Sequence, residues 1–194
     1  MKTSIGLGGL RNGPTSVSLF SKILSLSTAV TLLLAGCGKK PDQSAAAPSD
    51  NSYQPGTMVH FSVNGDAKRY QVSGWSAPEG EFTWTEQKSA VLTFRLNPEK
   101  SSYVLKMTLQ GLVKPPDLPS QTVEVKANQQ PVATWEVSAK REFSATIPPD
   151  SLKSDGLLTI SLTLPKATTP VSLGMNTDQR LLGVSCYDLQ LIKQ

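Results

Sequence analysis

Leu157-Leu158-Thr159-Ile160-Ser161-Leu162-Thr163-Leu164 is the stretch that decides the fold. Leu158, Ile160, Leu162 and Leu164 alternate with Thr159, Ser161 and Thr163. A period of two puts all the large apolar side chains on one face of an extended strand and the hydroxyls on the other. A helix would scatter the same residues around its axis. Outward from here the period recurs. Leu92, Phe94 and Leu96 alternate with Thr93 and Arg95, and Tyr103, Leu105, Met107 and Leu109 with Val104, Lys106 and Thr108. Val123 and Val125, Trp135 and Val137, and Phe143, Ala145 and Ile147 continue it. Val59, Phe61 and Val63 form an earlier run, and Asn64-Gly65 after it is a hairpin signal. The final run changes phase: Leu182, Val184 and Cys186 give way to Tyr187, Leu189 and Leu191. A one-residue β-bulge near Cys186 would keep both halves facing the core.

No stretch carries a helical stripe, and Pro115-Pro116, Pro148-Pro149, Pro165 and Pro170 interrupt the runs. The expected fold is all-β, an antiparallel β-sandwich of eight to ten short strands. A jelly roll fits that count best, because it closes two sheets over one core. Other sandwich topologies remain open.

The N-terminal part reads differently. Lys2, Arg11 and Lys22 are its charges, with no acid, and residues 23–36, ILSLSTAVTLLLAG, are apolar or small. A run of 14 residues is short for a membrane span of about 20. These are the regions of an export signal. Its basic part is long, which fits initiation at a later codon. Leu34-Ala35-Gly36-Cys37 resembles the bacterial lipobox. The resemblance implies cleavage after residue 36, lipid modification (with palmitate-type acyl chains) on Cys37, and a lipoprotein held on a membrane. An ordinary signal leaving a free Cys37 thiol is the competing reading. Gly38, in place of an inner-membrane-retaining Asp, points to the outer membrane of a cell envelope. Residues 37–56 are polar, small and Pro-rich, and read as the lipidated Cys and a flexible tether. Residues 57–194 read as the sandwich domain.

Charge then excludes one class of partner. The chain has 19 basic and 15 acidic residues. Without Lys2, Arg11 and Lys22 it carries 16 against 15, a net charge of +1. Neither that balance nor any basic block suggests nucleic acid. Cys37 and Cys186 are the two cysteines, so lipidation of the first leaves no disulfide framework. Cys186 lies in an apolar run and reads as a buried, inert thiol.

Chemistry-bearing residues gather in two places. The first is SGWSAPEGEFTWTEQKSA, residues 73–90, with Trp75, Phe82 and Trp84 beside Glu79, Glu81 and Glu86. Aromatic faces stack on sugar rings and carboxylates accept hydroxyl hydrogen bonds, so the grouping suits carbohydrate. The alternation of Phe82 and Trp84 with Thr83 assigns those two rings to the core instead, whereas Trp75 is divided evenly between core and ligand. The second is the loop 166–183, KATTPVSLGMNTDQRLLG. Loops of that length are functional or pinned by local hydrogen bonds. Asp178 and Arg180 could meet a polar ligand, but a structural ion pair of Arg180 with Asp178 or Glu79 is favoured.

Gly74-Trp75, Glu79, Trp84, the run Leu157–Leu164, Ser172-Leu173-Gly174, Asp178, Arg180 and Leu182-Gly183 together resemble a jelly-roll domain of bacterial envelope proteins. That domain is similar to galactose-binding-like modules and is also found appended to sugar-transferring membrane proteins. The resemblance covers most of residues 70–194 and implies association with carbohydrate. It implies ligand contacts from Trp75, Glu79, Trp84, Asp178 and Arg180. Related domains place Asn-Gly where this chain has Asn128-Gln129, a costlier pair for a tight turn.

Catalysis is not expected. The single His60 sits opposite Val59 and Phe61 and should face solvent, and no nucleophile elbow, phosphate loop or zinc cluster is present. A carboxylate pair for glycoside cleavage would need Glu79, Glu81, Glu86 and Asp178 to converge. No ligand spacing supports calcium, and no cofactor is expected. The expected partners are a membrane, through the lipid anchor, and a polysaccharide or glycan. A structural lipoprotein that binds other envelope proteins, with no sugar ligand, is the alternative.

Overall fold

A computed structural model describes residues 50–194. The expected export signal, Cys37 and most of the expected tether lie outside the described residues. Eleven strands are found among those described: β1 (Met58–His60), β2 (Gln71–Ser73), β3 (Trp75–Glu79), β4 (Phe82–Thr85), β5 (Ser89–Arg95), β6 (Tyr103–Gly111), β7 (Gln121–Ala127), β8 (Gln130–Val137), β9 (Arg141–Ile147), β10 (Leu157–Thr163) and β11 (Val184–Lys193). One sheet runs β3-β4-β11-β6-β9, with β1 also on β11, and the other β2-β5-β10-β7-β8. All pairings between these strands are antiparallel. Strand β4 pairs with β11, β5 with β10, β6 with β9 and β7 with β8. This is one long hairpin of eight strands rolled over so that alternate pairs fall in opposite sheets. The sandwich is therefore a jelly roll.

The alternation in sequence becomes the core. Leu92, Phe94, Leu105, Met107, Leu109, Leu158, Ile160, Leu162 and Leu164 are sealed from solvent, and Trp135, Val137, Phe143 and Ile147 are also buried. The register of β11 against β6 shifts between Cys186 and Asp188. That bulge keeps both Cys186 and Leu189 in the core, as the phase change requires. Tyr187 is the extra residue. It lies partly exposed, a correction to its expected inward direction.

Two further corrections concern the N-terminal side. Asn64-Gly65 does not join two paired strands. β1 stops at His60, Gly65 N–H donates to the Ser62 carbonyl, and a turn of 3₁₀ helix follows at Ala67–Arg69. Val63 is therefore exposed, while Val59 and Phe61 are buried. Residues 50–56, expected in the tether, are packed on the domain. Tyr53 is buried against Tyr70 and Phe94, with ring centroids 5.9 and 5.3 Å away. Its amide donates to the Arg95 carbonyl, and its hydroxyl accepts from the Leu191 amide. One aromatic residue among polar neighbours thus ties the incoming chain to both sheets.

The hairpin between β7 and β8 turns on Asn128 and Gln129, with φ of 46° and 74°. Asn128 suits its place because its side chain donates to the Ser151 and Leu157 carbonyls and accepts from the Thr159 amide. Gln129 has no such compensation and carries the cost of the left-handed backbone.

Candidate functional site

The edge of the first sheet begins at Gly74. Its φ is +77°, and a Cβ there would lie 2.0 Å from the Ser89 carbonyl oxygen. Only glycine lets the chain cross this closely from one sheet to the other. Trp75 follows and turns inward. Its ring packs 5.2 Å from Phe61, and its indole N–H donates to the Val91 carbonyl at 2.9 Å. A half-buried tryptophan with its one donor satisfied is a wedge closing the sandwich edge.

β4 has the opposite orientation to the one expected. Thr83 and Thr85 are buried, while Phe82 and Trp84 are partly exposed on the outer face. The buried hydroxyls explain the choice. Thr83 Oγ1 donates to the Phe61 carbonyl, and Thr85 Oγ1 bonds both the amide and the carbonyl of Val184. They satisfy backbone groups where regular pairing ends, which a phenyl or indole could not.

The outward rings form a continuous patch. Phe82 meets Trp84 edge-on at 5.7 Å and Tyr187 at 5.3 Å. Lys140 Nζ lies 3.5 Å from the centroid of the Tyr187 ring. The Tyr187 hydroxyl bonds Gln110 Oε1 at 2.9 Å. Glu79 pairs with Phe82 across the β3–β4 hairpin, so it shares that outer face.

Glu79 is tied to the long loop. Arg180 Nη1 donates to Glu79 Oε1 at 2.6 Å, and Nη2 and Nε donate to Asp178 Oδ2 at 2.6 and 3.0 Å. Arg180 N–H also donates to Asp178 Oδ1 at 2.9 Å. These bonds hold the Asp178 carboxyl below its ordinary range and push the guanidinium up. The loop is itself closed by reciprocal backbone bonds between Thr168 and Leu182, and Lys114 Nζ donates to the Leu173 carbonyl.

Of the five expected contacts, the structure therefore joins Glu79, Asp178 and Arg180 in one ion-pair group. It places Trp84 on the same face as Glu79 and turns Trp75 into the edge. The two acids share one arginine and do not stand as a free carboxylate pair. His60 faces solvent and bonds Asp188 at 2.7 Å through Nδ1. Cys186 points the other way, its thiol pushed up by burial, so the two do not pair although their strands abut. Tyr187, Lys140 and Gln110 were not among the sequence candidates. Only the bulge brings Tyr187 outward, and only the jelly-roll order brings the β8–β9 connection to it.

No protein-family model matches this chain, and no curated protein matches it. Among solved structures it is similar to a GH26-CBM35 β-(1,4)-mannanase from Podospora anserina, at 12% identity and a TM-score of 0.44. That likeness covers 71% of this chain and 27% of the mannanase chain, so this chain spans about a quarter of that protein. It is similar to the C-terminal CBM6 of LamC from Zobellia galactanivorans, at 10% identity and a TM-score of 0.42, over 71% of this chain and 98% of that one. A family 35 carbohydrate-binding module from Clostridium thermocellum is 11% identical with a TM-score of 0.43, over 71% and 99% of the two chains. The functional reading rests on the residues of this chain.

Proposed function

We propose that this chain is a lipid-anchored envelope protein whose sandwich binds carbohydrate, without catalysis, on the outer face of the sheet that carries Phe82 and Trp84. One observation carries the reading: β4 buries two threonines and leaves an indole and a phenyl ring partly in solvent. Leaving such area wet is unfavourable unless a ligand or partner covers it. Sugars suit the patch because ring C–H groups stack on aromatic faces while hydroxyls bond polar groups alongside. Gln110 and the Tyr187 hydroxyl supply such groups. The lipid anchor at Cys37 follows from the lipobox resemblance and would hold the module on a membrane, in an envelope with an outer membrane.

A glycan array probed with the detergent-purified full chain tests the proposal. Binding to a defined polysaccharide that disappears in Trp84→Ala, with folding retained, is the expected result. No glycan bound, with an envelope protein crosslinked at residue 84 instead, would replace it with the protein-interaction reading.

A further inference from the structure

Several of the charges around the aromatic patch are already paired. Glu79 and Asp178 share Arg180, which leaves that group a net charge of −1. Lys106 is paired with Glu142 at 2.9 Å, and His60 with Asp188. Lys140 is different. Among the described residues no carboxylate lies within ion-pair reach of it, and its ammonium rests on the Tyr187 ring. A cation over an aromatic face is held by the ring quadrupole. It thus stays available at the patch instead of roaming in solvent. Beside it, Gln110 Oε1 is occupied by the Tyr187 hydroxyl, which leaves the Gln110 amide N–H₂ as the free group.

The side of the patch at Tyr187 therefore presents an ammonium and an amide donor. Glu81 and Glu86 lie just beyond the two ends of β4. We infer that the carbohydrate bound here is anionic: a sugar carrying a carboxylate or a sulfate, whose oxygens accept from Lys140 Nζ and Gln110 Nε2 while the ring stacks on Phe82 and Trp84. This inference rests on the carbohydrate reading of the patch and adds the class of ligand.

Two polymer pairs with matched backbones separate the possibilities, titrated against the full chain in detergent: a polyuronate with its methyl ester, and dextran sulfate with dextran. The expected result is that the anionic member of at least one pair binds about tenfold or more tightly than its neutral partner, the strength of one charge-assisted contact. Lys140→Ala should remove that preference, and added salt should weaken it. Trp84→Ala should remove binding altogether. Equal affinity within both pairs, still abolished by Trp84→Ala, would overturn the anionic inference while leaving the aromatic site standing. Anionic binding that survives Trp84→Ala, or equals that to anionic phospholipid vesicles, would be general charge attraction and would overturn both. Which pair shows the preference tells a carboxylate from a sulfate.

Discussion

Replacing Trp75 by alanine separates a structural tryptophan from a ligand-facing one. Full truncation of a buried tryptophan costs about 3–5 kcal/mol. Trp75 is half-buried, which leaves about 2 kcal/mol for the ring packed on Phe61. Its indole N–H holds the Val91 carbonyl, and losing that bond adds about 1 kcal/mol. The expected cost is thus about 3 kcal/mol, a fall in Tm of about 6–12 °C for a domain of this size. Trp84→Ala, made on the outer face, should cost about 1 kcal/mol or less. Trp75→Phe keeps the ring and loses only the donor, so about 1 kcal/mol is expected. Urea unfolding followed by near-UV circular dichroism measures all three. A loss below about 0.5 kcal/mol for Trp75→Ala, with more than about 2 kcal/mol for Trp84→Ala, would mean that the two faces have been assigned the wrong way round.

Gln129→Gly should stabilise the domain by about 1 kcal/mol in the same assay, because glycine accepts the left-handed turn at no steric cost. Glu136 is lowered from an ordinary 4.5 to about 2 by hydrogen bonds from Ser120 and Thr122 and then by Lys166. Its contribution to stability is therefore complete above pH 4.5 and lost as the pH falls through about 2. An NMR titration of Glu136 should show a midpoint near the lower value, moving upward in Thr122→Val. Metabolic labelling with a fatty-acid analogue should mark the wild-type chain and not Cys37→Ser; a mark that survives the substitution would remove the lipid anchor from the account.

The strands and the bulge near Cys186 are legible in the sequence because alternation and a phase change report directly on which residues share a face. The direction of β4 is not. Alternation says that Phe82 and Trp84 oppose Thr83 and Thr85, but not which pair points inward. Apolarity favours the rings, whereas the unpaired backbone groups of Phe61 and Val184 favour the hydroxyls, and those groups exist only after the sheets have assembled. The ion pair of Arg180 with Asp178 is local and could be expected. Glu79, 101 residues earlier, is expected only as the alternative partner of Arg180, whereas the structure engages both acids; the meeting of Tyr187 with Lys140 depends on strand order. The burial of Tyr53 was hidden for a related reason: a single tyrosine in a polar segment gives no period to read.

The most direct test is a binding titration of the best polysaccharide ligand from the array, with Trp84→Ala and Trp75→Phe compared side by side in chains shown to be folded. Affinity abolished in Trp84→Ala and kept within about twofold in Trp75→Phe, a difference of ~0.4 kcal/mol, is the predicted result. Undiminished binding by Trp84→Ala, with loss in Trp75→Phe, would contradict the account, because it would place the site at the sheet edge and not on the outer face.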